Sequence, residues 1–280
     1  MVMKKILVPT DFSDNARNAL NYATFIADKL KSQIILFNFF RVPLTAGEVP
    51  IDPSLIEELE NESIDTLRQL KKDVLEKHPD LDIKCISSSG LDNEVNEICG
   101  ISDNNRVDLV VMGTKGASGI TKALIGSNAA HVIDNSNCPV LAIPEFAAFK
   151  GIKKIVYATD FQAADYQSIH FLKELASHFD AEIIIVHIAD EHHSIIHETN
   201  QLEQFKQDLS KFTSTDKVTF ELIAGENIPE RLNKLIEQTG ADIISMSTRK
   251  RKLMQKLFDR SLTKKMAYHT HIPLLAFHIQ

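Results

Sequence analysis

The sequence predicts an α/β protein built from two tandem domains, each a five-stranded parallel sheet with helices on both faces. Three observations predict it. Short β-rich apolar runs alternate with helical patterns along the whole chain, and the runs are continuously apolar, as strands covered on both faces are. The chain of 280 residues is long enough for two ordinary domains. Finally, the chain repeats itself. Lys5-Ile6-Leu7-Val8-Pro9-Thr10-Asp11-Phe12 returns as Lys154-Ile155-Val156-Tyr157-Ala158-Thr159-Asp160-Phe161. Val107-Asp108-Leu109-Val110-Val111-Met112 returns as Ala241-Asp242-Ile243-Ile244-Ser245-Met246, and Cys138-Pro139-Val140-Leu141-Ala142-Ile143 as Ile272-Pro273-Leu274-Leu275-Ala276-Phe277. These last two matches share an offset of 134 residues (Val107 to Ala241), so the stretch between them aligns without a gap. Similarity over such a length means a duplicated domain. The join is expected between Glu145 and Lys153, giving domains 1–147 and 148–280.

In the first copy the strands read as residues 4–9, 33–40, 83–87, 108–112 and 139–143. After the first strand, Ser13 or Asp14 can cap a helix that carries Ala16, Ala19, Leu20, Ala23, Ile26, Ala27 and Leu30 on one face. Asp52-Pro53 opens a long helix, with proline at its first position and Ile56, Leu59, Leu67, Leu70 and Val74 along one side. Right-handed crossovers leave few topologies for such a chain, and ligand chemistry is expected at the carboxyl ends of strands where the order reverses.

Composition narrows the function. The chain is 44% hydrophobic and 25% charged, with no run long enough to span a membrane and no secretory pattern at Met1-Val2-Met3-Lys4-Lys5-Ile6. Cys85, Cys99 and Cys138 are odd in number and lack zinc-type spacing, which predicts reduced thiols and a cytoplasmic location. Net charge is −7 and no tryptophan is present, a poor composition for broad nucleic-acid binding, so nucleic acid is not an expected partner. An anion held by this protein should sit in a local site made of backbone amides.

Gly113, Gly116, Gly126 and Ser127 form the pattern G-x2-G-x9-G-S directly after the apolar strand Leu109-Val110-Val111-Met112. The spacing predicts a loop that leaves the strand and closes on the start of a helix running to about Asn135. Gly113 would turn the chain sharply, with positive φ one way to do so. Gly116 would remove a side chain where backbone approaches phosphates, and Gly126-Ser127 would present free helix amides to an anion. Ser127 can add a hydroxyl donor and Asn128 an amide. Neither a Walker loop, a G-x-G-x-x-G fingerprint nor a G-x-S-x-G elbow occurs.

The tandem copies, the Val-Pro-Thr-Asp-Phe opening, the Met-Gly-Thr-Lys-Gly loop and the Cys-Pro-Val-Leu ending resemble the universal stress protein family in its two-domain form. The resemblance implies a sheet of order 3-2-1-4-5 in each domain and ATP lying between strands one and four of the first, accompanied by Mg²⁺ or Mn²⁺ held mainly by phosphates and water. It implies that Pro9, Thr10 and Asp11 flank the nucleotide, Asp11 at its ribose end. The backbone at Phe39, after the second strand, would meet the adenine, and Met112 would pack beside the base. Gly113, Gly116, Gly126, Ser127 and Asn128 would hold the phosphates. The resemblance further implies pairing of domains through their last strands, Pro139–Ile143 and Pro273–Phe277, inside one chain, with a homodimer open to it through other faces.

The second copy lacks the cradle. At the offset of 134, Ser247, Lys250, Arg260 and Ser261 stand where the three glycines and the serine stood. Side chains there would fill the phosphate space, and Lys or Arg is penalised wherever positive φ is needed. Arg249, Lys250, Arg251, Lys252, Lys256, Arg260, Lys264 and Lys265 read either as an altered anion site or, more simply, as a solvated face. Asp160 repeats Asp11 and could keep a capping role alone. His187, His192, His193 and His197 cluster, and His193 and His197 have the i, i+4 spacing of a zinc pair without completing a ligand set. An exposed loop leading into a helix explains them equally.

The function expected is therefore a cytoplasmic stress-response protein that binds ATP in its first domain, with the second structural or regulatory and protein partners unidentified. The alternatives are a nucleotide-independent interaction scaffold, or a second domain that takes a different anionic ligand. No pair of groups is set for acid–base attack on a γ-phosphate, so at most slow hydrolysis is expected.

Overall fold

The computed structural model describes residues 3–42, 52–90, 93–114, 126–189, 194–225, 227–249 and 272–279. Among these, two compact units form, one from Met3 to Glu145 and the other from Phe146 onward. The first contains β1 (Lys5–Pro9), α1 (Asp14–Leu30), β2 (Gln33–Arg41), α2 (Pro53–Leu75), β3 (Ile83–Gly90), α3 (Glu94–Asn105), β4 (Leu109–Gly113), α4 (Ser127–Asn135) and β5 (Val140–Ile143). The second contains β6 (Lys154–Ala158), α5 (Asp165–Phe179), β7 (Glu182–Ala189), α6 (Ile195–Phe212), β8 (Val218–Ala224), α7 (Ile228–Thr239), β9 (Ile243–Arg249) and β10 (Leu274–Ile279).

Each unit is a parallel sheet whose first strand lies inside it. The order is β3-β2-β1-β4-β5 in the first unit and β8-β7-β6-β9-β10 in the second. The central strands are buried throughout: Ile6, Leu7, Val8, Ile34, Ile35, Leu36, Leu109, Val110 and Val111 are fully inaccessible in the first unit. Val156, Val186, Ile244 and Met246 pack on Leu232, Leu235 and Ile236 of α7 in the second. Each such aliphatic side chain contributes roughly 1.5–3 kcal/mol on burial, so the unbroken apolar strands are what hold both sheets.

The duplication extends to backbone details that hydrophobic pattern does not specify. Phe12 and Phe161 both have left-handed φ, at 64° and 57°, where β1 and β6 give way to the turn before a helix. Lys31 and Asp180, closing α1 and α5, share it at 54° and 57°, as do Arg106 and Gly240, closing α3 and α7, at 53° and 65°. The Asp before the fourth strand also works twice. Asp108 accepts the amides of Lys4 and Lys5 at 2.7 and 3.0 Å, and Asp242 accepts those of Lys153 and Lys154 at 2.6 and 3.0 Å. Each carboxylate ties the start of the central strand to its neighbour and satisfies two amides that the ladder leaves over.

Helix starts follow their capping residues. Ser13 caps α1 by accepting from the Ala16 amide, and Asp52 caps α2 from the Ser54 amide with Pro53 at the first position. In the second unit Gln162 stands where Ser13 stood, and α5 begins only at Asp165, with Ala164 as an N-cap that offers no side-chain acceptor. The expected capping role of Asp160 is not found: the Gln162 amide goes to Asp165 instead.

Candidate functional site

The expected site lies where β1 and β4 end side by side. Pro9 closes β1 and Thr10 is buried just beyond it. The Thr10 amide donates to the Phe37 carbonyl at 2.8 Å, and its hydroxyl accepts the Phe12 amide at 3.0 Å, which holds the left-handed turn at Phe12. Asp11 projects from that turn and accepts from the amide and hydroxyl of Ser13 at 3.1 and 2.6 Å. Its carboxylate therefore already has local partners, as an acceptor just before a helix commonly does.

A residue that the sequence reading passed over fixes this turn from the side. The Asn38 amide donates to the Thr10 carbonyl at 2.7 Å, and its oxygen accepts from Ser63 of α2 at 2.8 Å. Asn38 is buried within an otherwise apolar strand. That polar interruption, repeated by His187 at the same offset of 149 that relates Lys5 to Lys154, was the available signal. Phe39 lies inside β2, in register with Ser88, and not after the strand as expected, because β2 runs on to Arg41. Odd-numbered residues of β2 direct their backbone groups to β1, as Gln33 and Phe37 do. The N–H and C=O of Phe39 thus face the side on which β1 has already ended.

On the other flank, Met112 is buried in β4 and Gly113 ends that strand. Positive φ is not what Gly113 supplies, since it is not among the residues with left-handed backbone. Its reason is close approach: a Cβ there would come within 2.9 Å of the Asn15 side chain at the start of α1. Gly126, with φ of −67°, is the N-cap of α4 and gives no side-chain cap to the helix amides. Its own N–H donates to the Thr114 carbonyl at 2.5 Å, which ties the start of α4 to the end of β4. Gly116 lies outside the described residues. Thr114 is buried, and its hydroxyl has no hydrogen-bond partner among the described residues. An orphaned hydroxyl beside an uncapped helix start suits a polar ligand better than a closed core.

Ser127 is exposed at the first position of α4. One N–H of the Asn128 side-chain amide donates to Glu94 of α3 at 2.9 Å, and the amide carries a second N–H. Burial raises the Glu94 carboxyl above the usual glutamate range; the nearby Arg41 works against this, the Asp11 charge adds to it, and the Asn128 bond opposes it. Glu94 was not anticipated, since an acidic residue at a helix start is ordinarily only favourable to the dipole.

The second unit has rebuilt the same place. Ser247 occupies the position of Gly113, and Ala164 that of Asn15, so the side chain that forbids a Cβ in the first unit is gone in the second. The Ser247 hydroxyl lies 2.5 Å from the Tyr157 hydroxyl and 2.9 Å from that of Ser168. Tyr157 donates to Asp165 at 2.8 Å, and Thr159 and the Gln162 amide donate to the other carboxylate oxygen at 2.6 and 3.1 Å. The phenol's one proton goes to Asp165, so Ser247 donates to the phenol oxygen and Ser168 donates to Ser247. Burial, followed by the Asp165 charge, pushes the Tyr157 phenol far up and keeps it a donor. Arg249 ends β9, whereas Lys250, Arg260, Ser261 and the other basic residues of the run lie outside the described residues, and so do His192 and His193. His187 donates from Nδ1 to the Thr159 carbonyl at 2.7 Å, stacks on Phe161 and lies 3.3 Å from Glu198 through Nε2. Helix α6 turns Glu198 inward and His197 to solvent, and the residue expected to pair with His197, His193, lies outside the described residues.

The model of the universal stress protein family matches residues 3–144 and again 151–278. The chain belongs to the universal stress protein family. Universal stress protein MJ0531 of Methanocaldococcus jannaschii is 33% identical over 143 residues, covering 50% of this chain and 81% of that one. Universal stress protein MJ0577 of the same organism is 30% identical over 158 residues, covering 51% and 96%. A solved universal stress protein from Archaeoglobus fulgidus matches the fold over 99% of both chains with a TM-score of 0.76 at 18% identity. The double match makes this a tandem universal stress protein, with the family's fold written once in each half. Among the described residues no helix is long and apolar enough to cross a membrane.

Proposed function

We propose that this universal stress protein is a cytoplasmic stress-response protein that binds ATP in its first half, and that its second half is structural or regulatory. The supporting observation is the bare start of α4. Gly126 leaves the first helix amides without a side-chain acceptor, and its bond to Thr114 fixes them at the end of β4. Phosphates would take those amides, the Ser127 hydroxyl and the Thr114 hydroxyl, at the positive end of the helix dipole. Asp11 would give up the Ser13 hydroxyl or share it in order to meet the ribose, and the backbone of Phe39 would meet the adenine. Met112 and Pro9 would wall the base. A Mg²⁺ or Mn²⁺ ion would be held through the phosphates and would neutralise their charge. In the second half Ser247 and its partners fill the corresponding strand end, which supports a role other than ATP binding there.

A thermal-shift and calorimetric titration with ATP and Mg²⁺ tests this. Ligand at a hundredfold excess over its Kd stabilises the folded state by about 2.7 kcal/mol, or roughly 5–10 °C for a domain of this size. Gly126→Asp is the informative variant. Aspartate is a favoured N-cap, so the helix is kept, while its carboxylate covers the amides and the shift disappears. An unchanged shift in this variant, or none in the parent, removes the reading and leaves a nucleotide-independent scaffold. Phosphate release followed over hours separates a binder from a slow hydrolase. Protein partners and self-association belong to the same proposal, and sedimentation of the full chain with and without ATP reads the latter.

A further inference from the structure

A carboxylate already stands at the phosphate end of the proposed site. Glu94 begins α3, and its Oε2 accepts the side-chain amide of Asn128, the second residue of α4. It is half-buried, and among the described residues the charged groups acting on it are Arg41, at the end of β2, and Asp11, beyond the end of β1. Glu97, one turn further along α3, is directed to Ser88 of β3 at 3.3 Å. An anion arriving at the start of α4 would therefore meet a half-buried resident anion that is already bonded to Asn128.

Two fates are open to Glu94 when phosphates arrive: to remain ionised against them, or to take a proton. Desolvation already favours the second, because burial raises its carboxyl above the ordinary value before any ligand is present. As a neutral acid it changes from competing acceptor to donor, and its hydroxyl can serve a phosphate oxygen. The proton comes from solvent or buffer acid, and no bond other than O–H is made.

We propose that Glu94 couples polyphosphate binding to proton uptake: the ligand displaces its carboxylate from Asn128, and Glu94 binds one proton as the nucleotide enters. This rests on the nucleotide reading above. By linkage, a group whose affinity for protons rises on binding makes the ligand bind more tightly at lower pH, and affinity falls as pH rises through the titration range of Glu94 in the complex. The protein thereby holds ATP more firmly under acidification, a signal carried by one side chain.

Calorimetry of the full chain with ATP and Mg²⁺, in two buffers of different ionisation enthalpy, tests this against Glu94→Gln. The amide keeps an oxygen for Asn128 and carries no charge, so the fold is preserved. The parent takes up a large part of one proton beyond that of the ligand itself, and the variant none. Near neutral pH the variant binds about tenfold more tightly, the equivalent of one unit of linked titration, and the difference narrows as pH is lowered. Adenosine, which has no phosphate, binds both proteins equally. ATP bound by both with the same affinity and the same proton count overturns the proposal and leaves the nucleotide reading intact. ATP bound by neither removes that reading and the coupling with it.

Discussion

The two strand ends of this protein began as one design and now solve the same problem with opposite means. In the first half the turn after β1 is held by neutral groups, Asn38 and Ser63, and the end of β4 is kept small at Gly113 so that Asn15 can lie against it. In the second half His187 and Glu198 hold the turn after β6, and Ser247 closes the end of β9 with a hydroxyl bonded into Tyr157, Asp165 and Ser168. The bond from β2 or β7 to the threonine carbonyl is the same length in both, 2.7 Å. What differs is the set of side chains beside it: Gly113 against Asn15 in the first half, Ser247 bonded to Tyr157 and Ser168 in the second. The lesson is that the two halves keep the clamps that hold backbone and differ in the side chains gathered at the strand end, because the clamps serve the fold both halves share.

The largest effect expected from breaking this comparison is at Asp165. Asp165→Asn replaces an acceptor that serves Tyr157, Thr159 and the Gln162 amide with a group half of which can only donate. The second half should lose about 3 kcal/mol in urea unfolding, with ATP-induced stabilisation of the first half unchanged. A loss of only a few tenths would mean that the network is ornamental.

Next in size is the exchange at Gly113. Gly113→Ser, which copies the second half into the first, drives a Cβ into Asn15 and should cost roughly 1–3 kcal/mol. Adding Asn15→Ala should restore much of that, with a coupling energy of about 1 kcal/mol or more in the double-mutant cycle. Strict additivity would show that the two positions do not constrain each other.

Asn38→Ala leaves the Thr10 carbonyl and the Ser63 hydroxyl each short of a partner, for a loss of about 1–2 kcal/mol by denaturant titration. Because the turn carries Asp11, ATP affinity should fall as well; affinity that held constant would detach the clamp from the site. The smallest effect is the intrinsic one of Glu94. Its carboxyl is raised in the folded protein, so its ionisation costs stability as pH rises through that value, and none of that cost exists at lower pH. Glu94→Gln should therefore raise the melting temperature above the parent at neutral pH and lose the advantage as the acid range is entered. A gain that is flat with pH would place the effect outside Glu94 ionisation.

Much of this was readable in advance. Strand–helix alternation located the strands to within a few residues, since the buried strands carry unbroken apolar runs that loops do not tolerate. Ser13 and Asp52-Pro53 announced their helices because capping is a local matter of one side chain and one amide. Where the sequence misled, a partner far along the chain was responsible. Gly113 suggested a turn, yet it is small because of Asn15. Asn128 gave no sign that one of its two N–H groups would go to Glu94. Asp160 looked like a cap because it repeats Asp11 just before a helix, but Asp165 takes the Gln162 amide.

By itself, the sequence determined the duplicated α/β architecture, the family, and the end of β4 at Gly113 and the start of α4 at Gly126, because periodicity, capping and repeat spacing are local along the chain. Only the tertiary structure decided that Asn38 clamps Thr10, that Glu94 stands beside Asn128, and that Tyr157, Asp165, Ser168 and Ser247 form one buried network. Those contacts join residues brought together by parallel crossovers, and hydrogen bonding acts across a few ångströms of space, whatever the distance along the chain.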